Sequence, residues 1–118
     1  MFLKHAVFLC IMFTYNITFI VAPDKEQELI DYLKTDILPK VTDPNVSNNN
    51  ISIKKLIEAG GEKPTPDHGL SIAMAMDFLS EDNAVLWHDN VLLPALQDFN
   101  CRFGKEAIFF ITLLQKIL

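Results

Sequence analysis

The chain has 118 residues, 50% of them hydrophobic, which is enough for one domain with a real core. Its net charge is −5 at pH 7, and an acidic chain without a basic stripe is a poor nucleic-acid binder, so no nucleic-acid partner is expected. Two distant cysteines, Cys10 and Cys101, do not make a disulfide framework. We therefore expect a reducing, cytoplasmic location.

Residues 1–11 combine a short basic region with an apolar run, the pattern of a secretion signal or membrane anchor. A membrane-spanning helix needs about 20 mostly apolar residues, and Asn16 would lie deep within it. Two other interpretations are a structural element and a dispensable extension with translation beginning at Met12. We favour the dispensable extension, followed by a single domain over residues 12–118 and no membrane partner. Secretion through residues 1–22 is the alternative.

The first predicted strand follows Met12. Residues 13–21 alternate between large apolar and smaller polar side chains, which is typical of a strand with one buried face. Asp24 is then expected to cap a helix, with Gln27 completing a capping box. Pro39 predicts the end of this helix, because proline cannot continue a regular helix without losing a hydrogen bond.

Two further strands are predicted in the middle of the chain. Residues 51–58 mix charged and apolar side chains, which suits the edge of a sheet. Residues 70–78 repeat the design of the first strand, with one bulky face and one small face. Because consecutive strands joined by a turn usually pair, we expect these two to form a hairpin.

The last third of the chain predicts a helix and a final strand. Ser80 is expected to cap the helix, Pro94 to kink or split it, and Gly104 to end it. Residues 107–117 are apolar on both faces, which is typical of a central strand or one covered on both sides.

The predicted order is strand, helix, strand, strand, helix, strand, which is the ferredoxin-like βαββαβ arrangement. The fold class is therefore α+β, with a four-stranded antiparallel sheet and both helices on one face. The other face would carry small residues, including Thr14 and Ala73, next to the apolar last strand. A second copy of the chain is the simplest cover for such a patch, so we expect a homodimer through the open sheet face.

Polar and aromatic side chains near the sheet are the candidates for a ligand pocket. Four polar side chains would line a space between sheet and helices or between subunits, with packed hydroxyls as the alternative: Asn16, Thr18, Ser71 and Thr112. For His88 the alternative to a pocket residue is a histidine on the helix surface. The aromatic one is interpreted first as core and second as a ligand platform. The six candidates are Asn16, Thr18, Ser71, Trp87, His88 and Thr112.

No phosphate loop, nucleophile elbow or zinc-ligand spacing occurs in the sequence. His68 and His88 would lie roughly 20 Å apart if strand and helix have ordinary dimensions, too far to share an ion. We therefore expect no metal and no cofactor, and we assign no catalytic residue. Cys101 is interpreted as a half-buried structural thiol.

Two segments resemble a known family. Met12-Phe13-Thr14-Tyr15-Asn16-Ile17-Thr18 and Phe103-Gly104-Lys105-Glu106-Ala107-Ile108-Phe109-Phe110-Ile111-Thr112-Leu113-Leu114 are similar to the start and end of a bacterial family catalogued as domain-of-unknown-function family 4286. The resemblance covers Met12 to Leu118 and favours Met12 as the start. It implies an α+β sandwich similar to dimeric α/β barrels, and it implies no established activity.

Two classes of function fit these observations. We interpret the chain as a small dimeric, non-enzymatic module that binds a partner or a small apolar ligand. The alternative, drawn from fold analogy, is a cofactor-free monooxygenase or isomerase of the dimeric α/β-barrel type. A closed pocket reached by Asn16, Trp87 and His88 together would favour the enzyme, and a space filled by side chains would favour the binding module.

Overall fold

The computed structural model describes residues 12–42, 51–57 and 69–117. Its sheet has four antiparallel strands in the order β2-β3-β1-β4. The strands are β1 (Phe13–Val21), β2 (Ile51–Lys55), β3 (Leu70–Phe78) and β4 (Ala107–Gln115). This order confirms the predicted ferredoxin-like fold. The predictions for the extension and for His68 fall outside the described residues.

The first helical region follows β1 without the predicted capping box. A short 3-10 turn begins at Pro23, and the first α-helical residue is Glu26, preceded by Lys25 with no side-chain cap. The prediction for Asp24 and Gln27 is therefore wrong, because the proline-led turn moves the helix start past Asp24. The region consists of α1 (Glu26–Tyr32), a π-helical turn (Leu33–Ile37) and α2 (Leu38–Val41).

The second helical region begins as predicted. The Ser80 hydroxyl accepts a hydrogen bond from the Asn83 backbone N–H at 3.1 Å, so Ser80 is the N-cap. The region is split near Pro94, which confirms the predicted interruption. Its parts are α3 (Glu81–Trp87), a π-helical turn (His88–Leu92), α4 (Leu93–Ala95), α5 (Phe99–Phe103) and a 3-10 turn (Gly104–Glu106).

A π-helical turn precedes a proline in both helical regions. Pro39 and Pro94 each follow the last residue of the turn by two positions. A proline lacks the N–H of the helical ladder, and its ring collides with the carbonyl four residues earlier. The wider π turn gives that ring room, so the first helical region continues past Pro39 to Val41, and α4 continues past Pro94 to Ala95 before the split.

The core lies between the sheet and the two helical regions. Alternate β1 residues point into it, and Ile17 and Phe19 have no exposed surface. In register with Phe19 are Ile72 on β3 and Phe109 on β4, so β1 is the centre of the packed face. Edge-to-face contacts such as Phe99 with Phe109, whose ring centroids are 5.2 Å apart, add to the burial of apolar area.

Both outer strands of the sheet can be compared with prediction. The edge position of β2 and its pairing with β3 are confirmed, although β2 ends at Lys55 and residue 58 lies outside the described residues. A central position, one of the two alternatives predicted for β4, is wrong, because β4 is the other edge strand and ends at Gln115. Cover on both faces stays a prediction, since the described residues leave the outer face of β4 exposed.

The Ser80 cap gives a first expected result. Ser80→Ala removes the acceptor for the Asn83 N–H and should lower the free energy of unfolding by about 1 kcal/mol in urea titrations. Ser80→Asn keeps a capping acceptor and should restore most of that loss. Equal stability of the alanine variant and the unmodified chain would contradict this role of Ser80.

Candidate functional site

The sheet has one face packed on helices and one face that the described residues leave open. We call the second surface the open face. Side chains on it alternate along each strand with those that point into the core. The open face consists of Thr14, Asn16, Thr18 and Ile20 on β1, Ser71, Ala73, Ala75 and Asp77 on β3, Ser52 and Lys54 on β2, and Ile108, Phe110, Thr112 and Leu114 on β4.

Large apolar side chains of the open face are concentrated on β4. Ile108, Phe110 and Leu114 are 50%, 54% and 52% exposed. On β3, two strands away, the open face carries nothing larger than alanine or serine over three successive positions, Ser71, Ala73 and Ala75. Side chains on the open face are therefore large along the β4 edge and small on β3. The apolar patch on β4 is typical of an interaction surface.

Residues in register across the strands form a level of the open face, and one of these levels is mostly polar. Asn16 on β1 is in register with Thr112 on β4 and with Ala75 on β3, which is itself in register with Ser52 on β2. The Asn16 amide nitrogen donates to the Thr18 hydroxyl at 3.0 Å. This level therefore offers hydrogen-bonding groups beside the apolar Phe110 and Leu114 of β4.

A second polar contact lies on the opposite, helix-covered side of the sheet. The Tyr15 hydroxyl hydrogen-bonds to Nδ1 of His88, which opens the second π turn. The Tyr15 ring packs edge-to-face on Trp87 with centroids 5.2 Å apart. Burial raises the pKa of the Tyr15 hydroxyl, and the Asp89 carboxylate raises it further. The phenol consequently keeps its proton at neutral pH.

The structure divides the six predicted site residues into two groups. Four of them, Asn16, Thr18, Ser71 and Thr112, lie on the open face. Trp87 and His88 lie on the other side of the sheet, so Asn16 does not share a cavity with them. Sequence reasoning missed Tyr15 as the partner of His88. The available signal was its odd residue number in β1, which places Tyr15 on the same core-facing side of the strand as Ile17 and Phe19.

Tyr32 makes a third polar contact, next to a surface groove. Its hydroxyl donates to Asp98 at 2.8 Å, and the Arg102 guanidinium lies 5.1 Å from its ring centre. Burial and the Asp98 carboxylate raise the pKa of the Tyr32 hydroxyl. The neighbouring groove of about 350 Å3 is lined by Lys40, Pro94, Ala95, Gln97, Asp98 and Cys101. Cys101 is exposed there, which corrects the expectation of a half-buried thiol.

The two tyrosines, Tyr15 and Tyr32, are the only ones in the chain, and they predict a specific response to alkaline pH. The folded state holds both phenolic protons more tightly than the unfolded state does. Their contribution to stability is therefore complete below the ordinary pKa of 10.0 and is lost as pH rises above it. Melting temperatures from neutral pH upward should fall above 10.0, with phenolate absorbance appearing only as the chain unfolds.

A Tyr15→Phe/Tyr32→Phe double variant is the matched control. It should lose the part of this alkaline sensitivity that the two phenols cause. Phenolate absorbance that develops at the ordinary pKa while the protein is still folded would contradict the assignment.

Residues 12–42, 51–57 and 69–117 contain neither a metal-binding cluster nor a membrane-spanning helix. Within these ranges no three His, Cys, Asp or Glu side chains gather closely enough to hold a metal ion. Nor does any helix within them have the length and apolar character to cross a membrane.

The antiparallel sheet, with helices on one face and an opposite face that the described residues leave open, defines an α+β protein of the ferredoxin-like class. Residues 12–117 match the model of a family described as "Domain of unknown function (DUF4286)". The chain belongs to this family. No curated protein matches the chain.

Solved structures with the same fold share little sequence with the chain. A putative antibiotic biosynthesis monooxygenase from Bordetella bronchiseptica is 13% identical with a TM-score of 0.61, covering 91% of this chain and 98% of that one. A dimeric ferredoxin-like protein from an uncultured marine organism is 10% identical with a TM-score of 0.58, covering 92% and 96%. An ethyl tert-butyl ether d (ethd) family protein from Bacillus halodurans C-125 is 11% identical with a TM-score of 0.58, covering 85% and 96%.

Proposed function

We propose that the chain is the subunit of a homodimeric, non-enzymatic binding module that pairs through the open face. The observation that carries this proposal is the half-exposed apolar row of β4, Ile108, Phe110 and Leu114, beside the small residues of β3. Such a row is costly to leave in water and is well placed to meet another sheet. A neighbour of the same fold is described as a dimeric ferredoxin-like protein, which supports this arrangement.

The size of the open face is adequate for a specific interface. Three strands of nine residues and one of five, at about 3.3 Å per residue and about 4.8 Å spacing, give roughly 500 Å2 per copy before side-chain relief is counted. Two copies would bury on the order of 1,000 Å2, about the minimum for a specific interface. The β-sandwich packing of two sheets about 10 Å apart would supply the geometry.

The open face also supports a ligand-binding role. Asn16, Thr18, Ser71 and Thr112 bring hydroxyl and amide groups to it, next to the apolar Phe110. A small, mainly apolar ligand bound at the interface would contact Phe110 and receive its hydrogen bonds from these groups. In this proposal the ligand site is shared by the two subunits.

The alternative is a cofactor-free monooxygenase or isomerase acting from the helix-covered side. The Tyr15–His88 hydrogen bond, with Asp89 beside it, is the observation that favours it, together with the fold shared with the putative monooxygenase. The packing there favours the binding module instead. Trp87 has no exposed surface and the Tyr15 ring is almost fully buried, so side chains occupy the space a substrate would need.

The test combines light scattering with native mass spectrometry of the protein purified from its own host. A dimer at micromolar concentration, carrying a small molecule or a bound partner, is the expected result. A monomer would overturn the proposal. A dimer that turns over an aromatic substrate with oxygen, and loses this activity in Tyr15→Phe, would replace it with the enzyme alternative.

A further inference from the structure

We infer that the two sheets of the dimer are related by a twofold axis that runs parallel to β1, in the plane between the sheets. With this axis, β1 lies over the β1 strand of the partner and β4 lies over the β3 strand of the partner. The inference rests on the proposed homodimer through the open face and specifies how its two copies are oriented.

Two simple orientations are open to sheets that pack face to face about a twofold axis. An axis parallel to the strands exchanges the two sides of β1 and keeps each residue level opposite the same level. An axis across the strands places every strand over its own counterpart and reverses the order of levels. The distribution of side chains on the open face distinguishes these orientations.

Side-chain size favours the axis along β1. Because β1 lies between β3 and β4, this axis sets Phe110 of β4 over the partner's Ala73, which is on the same level. Ile108 likewise lies over the partner's Ser71, so large side chains meet small ones at these two levels on both sides of the axis. Leu114 lies over the partner's Asp77. Interfaces of this kind need the packing density of a protein interior.

The axis across the strands gives a poor fit. If it passes through the middle of the open face, Leu114 lies over the partner's Ile108, and Ala73 lies over the partner's Ala75. Large residues would then oppose large residues on β4 while small residues oppose small ones on β3. The sheets would be held apart at one edge, and voids would remain over β3.

Polarity favours the same orientation. Thr112, Asn16 and Ser52 occupy one level of the open face, whereas Ile108 and Ile20 occupy another. An axis along β1 keeps each level opposite its own counterpart, so Asn16 meets the partner's Asn16, while Thr112 lies over the partner's Ala75. Buried polar groups that lack a partner cost free energy, and this orientation avoids that cost for Asn16.

The levels of the two sheets align most closely on β1, which lies nearest the axis. Packed sheets are rotated by about 30° relative to each other, so levels diverge with distance from the axis. Asn16 and the partner's Asn16 therefore face each other most directly. Among the described residues the Asn16 side chain makes one hydrogen bond, from its nitrogen to Thr18. Its amide oxygen can accept a hydrogen bond from the N–H of the partner's Asn16, and its second N–H can donate to that residue's oxygen.

Cysteine cross-linking tests the axis. In a background with Cys10→Ser and Cys101→Ser, which removes both native thiols, a short bifunctional maleimide reports which positions face each other. Thr18→Cys should cross-link to itself because it lies on β1. Thr112→Cys should not cross-link to itself but should cross-link to Ala75→Cys when the two variants are mixed.

The possible outcomes are distinct. If Thr112→Cys cross-links to Phe110→Cys and not to Ala75→Cys, the axis crosses the strands and the inference is wrong while the dimer proposal stands. If light scattering shows a dimer and none of these variants cross-links, another surface forms the dimer and both proposals fail. Lys34→Cys, an exposed helix residue on the other side of the sheet, is the negative control.

Discussion

Replacement of Trp87 by alanine is expected to lower the free energy of unfolding by about 3–5 kcal/mol. Trp87 has no exposed surface, and its ring lies 5.2 Å from that of Tyr15 and 5.5 Å from that of Phe78. Its indole N–H also donates to the Val41 carbonyl at 3.5 Å. The variant leaves a cavity where α3, the first helical region and the sheet meet. The measurement is urea unfolding followed by circular dichroism.

Two controls separate burial from other effects of the Trp87 change. Trp87→Phe retains an apolar ring and should recover a large part of the loss. Val85→Ala changes a 47% exposed residue of the same helix and should cost much less. A Trp87→Ala variant with nearly unchanged stability would show that the indole does not form the packed centre described above.

Introduction of arginine at Ala73 is expected to abolish the proposed dimer. Ala73 lies in the middle of β3 on the open face, so the new guanidinium would be buried in the contact between sheets. An unpaired buried charge and the added volume both oppose association. The isolated chain should fold nevertheless, because this position is partly exposed in one subunit. Size exclusion with light scattering should show a monomer or aggregates.

The matched control for Ala73→Arg is Val85→Arg. Val85 is exposed on the second helical region, on the other side of the sheet, so the same charge should leave the dimer intact. Circular dichroism of both variants should show a folded chain. A stable dimer in Ala73→Arg would mean that the subunits use a surface other than the open face.

The alternation of side chains was sufficient to predict most of the fold. β1 and β3 have strict period-two patterns, and their predicted extents agree with Phe13–Val21 and Leu70–Phe78. The Ser80 cap was predictable because a local hydrogen bond within one turn decides it. The ferredoxin-like topology then followed from the order of elements and from short-range pairing rules.

Features that depend on more than one segment were less predictable. The sequence of β4 indicates burial on both faces, but strand order places β4 at the edge, where the described residues leave one face open; the proposed dimer would cover it. The capping box at Asp24 failed because Pro23 starts a 3-10 turn there. The π turns were missed because a search for helical spacing assumes 3.6 residues per turn.

The candidate site was predicted in part. Its polar open-face residues, such as Asn16 and Thr112, were found from the small face of β1 and from a hydroxyl in an apolar strand. The hydrogen bond of Tyr15 to His88 was not, because these residues are 73 positions apart and meet only through packing of helix on sheet. No local pattern specifies such a contact.

The π turns have a consequence for how this chain can change length during evolution. Trp87 and Leu92 are five positions apart and both fully buried. The same holds for Tyr32 and Ile37. In a regular α-helix five residues rotate by about 500°, which would put the two side chains about 140° apart on the helix surface. Each turn therefore absorbs one surplus residue without rotating the downstream face away from the core. A homologous chain that lacks this residue could place the same side chains with an ordinary helix, so helix length can vary by one here while the core stays in register.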